Sequence, residues 1–310
     1  MPRLSIITVN LNDKDGLINT TESVIAQTWT DYEWIIIDGG STDGSVEVIK
    51  KYADKTDKLV YWCSEKDGGI YQGMNKGIEK ASGEYCWFLN SGDYAYKNTT
   101  LAEIFANEFN EDIVYGNLEI LFPAKLKNKY NDLEMVFTDF VRNTKKKNPY
   151  NIINWVDFTV TPHPASIIKR DLLVRLGLYK AKDYAIAADT EFFVRSIFNH
   201  NAKAKHINPV FATFVCDGVS SAYNSKTQKL MDFEHKKAII ENFPGNYVEI
   251  FAIWYIKQKI LSLFLPLYCL KRIFMRIIRF GILRAVGYYW GKFIRLKPSY
   301  AKVIKGEEDA

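Results

Sequence analysis

The sequence predicts an α/β protein: a mostly parallel sheet flanked by helices, with a basic helical extension at its C-terminal end. Three observations predict it. Apolar, β-branched runs alternate with helix-length segments from Leu4 to Leu89, the pattern of strands joined by crossover helices. Most of these runs stop at a polar cluster rich in Asp, Asn and Gly. Charge is also unevenly spread. Ten basic residues and no acidic one lie between Ile250 and Lys297, so a chain of net +5 has a remainder of −5.

The elements follow in order. Leu4–Val9 is a strand, and the segment from Asp15 to Gln27 has helical character. Glu33–Asp38 is a second strand that ends in the turn-rich Gly39-Gly40-Ser41-Thr42-Asp43-Gly44. A helix to about Ala53 follows, with Asp43 as its turn or cap residue because a short acid satisfies free N–H groups there. Leu59–Cys63 is a third strand and Ile70–Ala81 a third helix. Tyr85–Leu89 is a fourth strand, ending at Asn90-Ser91-Gly92-Asp93. From Asp112 to Ser221 the pattern is less regular. Lys145-Lys146-Lys147 marks an exposed loop, and Ile167–Leu176 and Ala187–Phe198 are expected to be helical.

Composition narrows the class. At 310 residues the chain holds one large core or two modest ones. Its four cysteines form no C-x-x-C pair, so buried thiols in a reducing compartment are expected rather than zinc ligands or disulfides. Met1-Pro2-Arg3 leads straight into a strand, with no secretory signal pattern. The longest uncharged apolar run, Ile260 to Leu270, is interrupted by Pro266. It is about half of the ~20 residues a bilayer span needs.

In open α/β sheets, ligands gather at the carboxyl ends of the strands. Val9-Asn10, Asp38-Gly39-Gly40 and Asn90–Asp93 fall at that edge, and Asp67-Gly68-Gly69 opens the third helix. Clustered acids and glycines there suggest a nucleotide-and-metal site. A G-x-G-x-x-G turn is absent after Val9, which argues against a dinucleotide-binding oxidoreductase. His200, His206 and His235 show no metal-ligand spacing.

Taken in order, these motifs resemble the family 2 glycosyltransferases of GT-A fold. Leu4–Asn10 and Ile37–Ser45 match the family's start; Asp67–Tyr71 with Met74–Ile78 matches one bacterial surface-polysaccharide subgroup. Leu89–Asp93 occupies the metal position, and Ala187–Arg195 is similar to the acceptor-side motif. The resemblance covers roughly residues 3 to 221. It implies an inverting transferase that uses a nucleotide sugar, here a UDP-sugar, and a divalent metal, Mn²⁺ or Mg²⁺.

The resemblance also implies site roles. Asp38 and Asp67 would contact the base and ribose, with Thr8, Val9, Asn10, Asn90, Ser91 and Gly92 lining the nucleotide sugar. Asp93 would hold the metal, although many members place two or more acids where this chain has Asn90-Ser91-Gly92-Asp93. Asp189 would be the catalytic base. His163, Glu191 and Arg195 would contact acceptor or diphosphate. The plainer alternatives are a turn-forming Asp38, Asp189 as a helix N-cap, and Arg195 fixing Glu191 at i,i+4. Met74 stands where many relatives carry an arginine, so this helix offers no arginine contact at that position.

The implied halves are residues 1–115 for the nucleotide sugar and 116–225 for the acceptor, followed by a helical region at 226–310. In that tail Arg272, Arg276 and Arg279 share one helical face among aliphatic and aromatic neighbours. This favours a basic amphipathic surface for anionic membrane over nucleic acid, or over packing within the fold. The expected enzyme is cytoplasmic and peripheral on the inner face of the membrane. It would extend a lipid-linked or surface glycan, with a homo-oligomer left open. The competing reading is a non-catalytic nucleotide-sugar-binding or scaffold protein.

Overall fold

Four parallel strands form the first half of the sheet: β1 (Leu4–Asn10), β2 (Tyr32–Asp38), β3 (Leu59–Ser64) and β4 (Tyr85–Phe88). The computed structural model describes residues 1–121, 133–135, 163–216 and 225–242. Helices α1 (Lys14–Ile25), α2 (Ser45–Ala53) and α3 (Ile70–Lys80) connect these strands. Both faces of β1 and β2 are buried, which is why their sequences run apolar without a polar alternation. Leu4, Ile6, Trp34 and Ile36 enter one core with α1, α2 and α4 (Thr100–Phe105). Ile7, Val9, Ile35 and Ile37 enter the other with Tyr71, Met74 and Ile78 of α3. A one-residue slip of either strand would exchange these sets, so register is strongly specified.

Beyond β4 the sheet becomes mixed. The remaining elements are β5 (Tyr94–Ala95), β6 (Ile113–Leu121), β7 (Leu133–Met135), β8 (Ser166–Lys169), α5 (Arg170–Arg175), α6 (Ala188–Val194), β9 (Ala204–Val215) and α7 (Ser225–Asn242). The strand order is β3-β2-β1-β4-β8-β6-β9-β5, with β7 paired to β6. β8 runs antiparallel to both β4 and β6, while β6 and β9 pair in parallel, so the all-parallel run of Leu4–Phe88 gives way to a mixed sheet.

One expected helix is corrected here. Ile167–Leu176 divides into strand β8 and helix α5. Ile167 pairs with Trp87 on one side and Val114 on the other, a central position that suits β-branched residues. A short apolar run has no period that separates the two states. The Ala187–Phe198 helix is observed, but it passes from α6 into a π-type turn over Arg195–Asn199. Lys145–Lys147 and the tail arginines Arg272, Arg276 and Arg279 lie outside the described residues.

Candidate active site

The strand ends are drawn together by backbone before any side chain is considered. Gly39 N–H donates to the Asn10 carbonyl at 2.9 Å, and Ser91 N–H to the Val9 carbonyl at 3.1 Å. The three predicted clusters therefore meet at one edge. Asp67 joins them through α3: a Cβ on Gly73 would lie 2.8 Å from Val9 Cγ1 and 3.3 Å from Asp67 Oδ2. Only a glycine lets α3 lie this close to β1. Gly69, the residue before α3, has φ +116, where a side chain would be strained.

Asp38 is buried and saturated. Its Oδ1 accepts from Asn10 Nδ2 at 2.7 Å and Ser41 Oγ at 2.5 Å. Its Oδ2 accepts from Ser64 Oγ at 2.6 Å and from the Ser41 and Gly40 amides at 2.9 and 3.2 Å. Burial alone would raise its pKa, but the donors from Ser41, Ser64 and Asn10 outweigh it and hold the carboxyl below its ordinary value. Thr8 is likewise committed: its hydroxyl donates to the Leu89 carbonyl at 2.8 Å and accepts from Trp34 Nε1 at 3.1 Å. Asp43 braces the turn ahead of α2, whose N-cap is Gly44, accepting from the Ser45 amide at 3.0 Å and the Lys14 amide at 2.8 Å.

Asp93 is buried, and its Oδ1 accepts from the Val215 amide at 3.3 Å. This ties the turn after β4 to the end of β9. Thr20 Oγ1 donates to the Asp93 carbonyl at 2.6 Å and the Asn90 carbonyl at 3.2 Å. Asn90 Oδ1 is a buried acceptor with no hydrogen-bond partner among the described residues. Asp93 and Asn90 thus bring hard oxygen donors to one turn, a set that suits Mg²⁺ or Mn²⁺. Among the described residues, no group of three His, Cys, Asp or Glu side chains could hold a metal by itself.

The second cluster surrounds Asp189, in the first turn of α6. Ala187 precedes that helix as its N-cap, so Asp189 is not the capping residue. Tyr71, in the first turn of α3, places its hydroxyl 2.8 Å from Asp189 Oδ1 and 2.5 Å from the Ile186 carbonyl. Burial and then the Asp189 charge hold the Tyr71 phenol well above its ordinary pKa, so it stays a donor. Tyr179 lies beside Tyr71 and bonds His163 Nε2 at 2.8 Å, while His163 stacks on Phe88 at 4.9 Å. Asn75 clamps the Tyr179 backbone, donating to its carbonyl at 2.8 Å and accepting its N–H at 3.0 Å. Burial lowers the His163 pKa, and the Asp189 charge opposes this.

Glu191 and Arg195 adopt the i,i+4 pairing rather than facing the open edge. Arg195 Nε meets Glu191 Oε1 at 2.9 Å, and both residues are buried. Its remaining donors go to the Leu176 and Leu178 carbonyls and back to Glu191. Lys180 and Asn242 also bond Glu191, at 2.9 and 3.2 Å.

The sequence reading assigned no role to Tyr71 or Tyr179, which the structure places around Asp189. Tyr71 closes the Asp67–Tyr71 motif, and that membership was the available signal. No local pattern announces contacts separated by 118 residues, as Tyr71 and Asp189 are.

The model of glycosyl transferase family 2 matches residues 5–176, and the chain belongs to that family. An uncharacterized glycosyltransferase of Mycobacterium tuberculosis H37Rv is 34% identical over 200 residues, 63% of this chain and 69% of its own. A PGL/p-HBAD biosynthesis glycosyltransferase of Mycobacterium bovis BCG is 27% identical over 216 residues, 69% and 77% of the two chains. Among solved structures, the S. aureus TarS 1-349 complex with UDP aligns with TM-score 0.53 at 18% identity. It covers 78% of this chain and 67% of TarS. The mixed sheet with flanking helices is the GT-A fold.

Proposed function

We propose that this glycosyltransferase moves a sugar from a UDP-sugar to an acceptor hydroxyl, with inversion and with Asp189 as general base. The carrying observation is Asp189 itself: a partly exposed carboxylate that, among the described residues, is bonded by a single phenol at 2.8 Å, beside buried aromatic groups. The acceptor oxygen gives its proton to Asp189 as it attacks the anomeric carbon. The bond from that carbon to the diphosphate oxygen breaks, and its electron pair leaves with the nucleotide. Attack from the opposite face inverts the centre.

Asp67 and the loop braced by Asp38 would receive the nucleotide, as the shared fold with UDP-bound TarS supports. Asp93, with Asn90 at the same turn, would hold a divalent cation. Such an ion offsets charge on a departing diphosphate. Residues 1–115 would form the donor half and 116–225 the acceptor half. The basic tail at 250–297 would bring the enzyme to an anionic membrane and a lipid-linked glycan. Among the described residues, no helix is long and apolar enough to cross a membrane.

Calorimetry with UDP-glucose, UDP-galactose and UDP-N-acetylglucosamine, each with Mn²⁺, tests the reading, together with UDP release on turnover. At least one should bind and release UDP, and Asp93→Ala should lose most of that turnover. No binding by any of them, or full turnover in EDTA, would refute the donor or the metal assignment respectively.

A further inference from the structure

Helix α7 and Asp189 both lie beyond the matched family segment, and a side chain of α7 reaches the chain just ahead of Asp189. Glu234 is buried. Its Oε1 accepts from the Ala185 amide at 2.8 Å, and its Oε2 from the Ile186 and Ala187 amides, each at 2.9 Å. Three consecutive N–H groups, ending at the N-cap of α6, thus converge on one carboxylate. The Ile186 carbonyl in the same segment meets the Tyr71 hydroxyl, which also meets Asp189.

From this chain of contacts we infer that Glu234 is a positioning residue for Asp189. It holds residues 185–187, and so sets both the start of α6 and the Tyr71 phenol that orients the base. The charge on Glu234 suits this task, because three amide dipoles point at it and only a carboxylate offers acceptors on both oxygens. Neighbouring contacts hold α7 in place. Lys237 donates to the Asp183 carbonyl at 2.9 Å, and Glu241 accepts from Tyr184 at 3.0 Å. The inference rests on the reading of Asp189 as the base.

The test is a double-mutant cycle in the full chain, with Glu234→Gln and Asp189→Asn. A glutamine replaces one acceptor oxygen with an NH₂ that faces amide donors, so the 185–187 segment loses at least one bond. Misplacing a reacting group by about 1 Å can cost ~10²-fold in rate. Glu234→Gln should therefore lower kcat for UDP release by up to about 10²-fold, with the Kd for UDP unchanged. In the Asp189→Asn background it should add little further loss. Amide hydrogen exchange at Ala185, Ile186 and Ala187 should quicken in Glu234→Gln whatever Asp189 does. Fully multiplicative losses, or faster exchange with native kcat, would overturn the positioning role. A near-native rate for Asp189→Asn alone would remove the base reading and this routing with it, while the exchange data still report on the tie itself. Should Glu234→Gln fail to fold, Glu234→Asp carries the test. It keeps both oxygens one methylene shorter, and the same cycle should show a smaller loss confined to kcat.

Discussion

Two aspartates at the open edge of this sheet have opposite environments. Asp38 accepts five hydrogen bonds, from Asn10, Ser41, Ser64 and the Gly40 and Ser41 amides, and is buried. Asp189 takes one side-chain hydrogen bond among the described residues, from Tyr71, and is partly exposed. A carboxylate offers about four lone-pair sites. Asp38 has its sites taken up by β1, by the loop after β2 and by β3, so in this structure it braces that loop. Asp189 keeps sites that a substrate hydroxyl can use. Residue type and motif position do not distinguish these two environments; the count of donors already bound does.

The largest effect expected from this contrast is at Asp189. Asp189→Asn keeps the size and the Tyr71 contact but cannot take a proton. General-base catalysis is worth ~10²–10⁴-fold, so kcat for UDP release should fall by about that factor while UDP binding and urea stability stay near native. A variant that turns over normally would break the comparison, and the base would have to be sought elsewhere.

The next effect is at Asp38, and it should appear in stability. Asp38→Ala removes the acceptor of the Ser41 and Gly40 N–H groups and of the Ser64 hydroxyl, and one of the two acceptors of the Asn10 amide. A buried unsatisfied group costs ~1–3 kcal/mol, and the Ser41, Gly40 and Ser64 donors are only part-buried, so a loss of about 1–3 kcal/mol is expected in urea unfolding. UDP binding should weaken with it, because the loop loses its brace. Native stability together with weaker UDP binding would instead make Asp38 a direct nucleotide contact.

The contrast between these halves also governs how much was legible in the sequence. The β1–β4 half was legible because each strand and its crossover helix are contiguous, and the polar residues that stop each strand mark the site edge. Asp38, Asp67 and Asn90–Asp93 could be placed there from local pattern alone. The second half was less legible. β8 pairs with strands 80 and about 50 residues away in sequence (Trp87↔Ile167, Val114↔Ile167), so its state is set by partners that local period does not report. Glu234 is harder still: its three amide partners lie 47 to 49 residues earlier, and a glutamate within a helix carries no motif. Arg195 and Glu191 show the intermediate case. Their i,i+4 spacing announced the pair, while burial determined that it faces inward.

The smallest expected effect is in the pH dependence of stability, and it separates the halves again. In the first half, Asp38 and Glu33 have lowered pKa values. For Glu33, burial opposes the shift, and donors from Ser5, Ser82 and Gly83 outweigh it. An acid with a lowered folded pKa binds fewer protons when folded than when unfolded, so its contribution is complete above the unfolded value. That contribution is lost as pH falls through the folded value. Their loss should therefore begin near pH 4.5 and deepen below 3.8, the ordinary values for the two groups. His163, in the second half, is lowered by burial from 6.5. The unfolded chain takes up that proton first, so stability should start to fall below about pH 6.5, well before the carboxylates act. Thermal unfolding across this range should show two declines. His163→Gln should flatten the one nearer neutrality and leave the acidic one in place. Asp189→Asn removes the charge that opposes burial at His163, and should push that histidine's pKa lower still. The shallow decline would then extend further into acid before it levels off. A Tm profile that is flat from pH 6.5 to 5 in the native chain would mean that His163 is not held neutral by the aromatic cluster around Asp189.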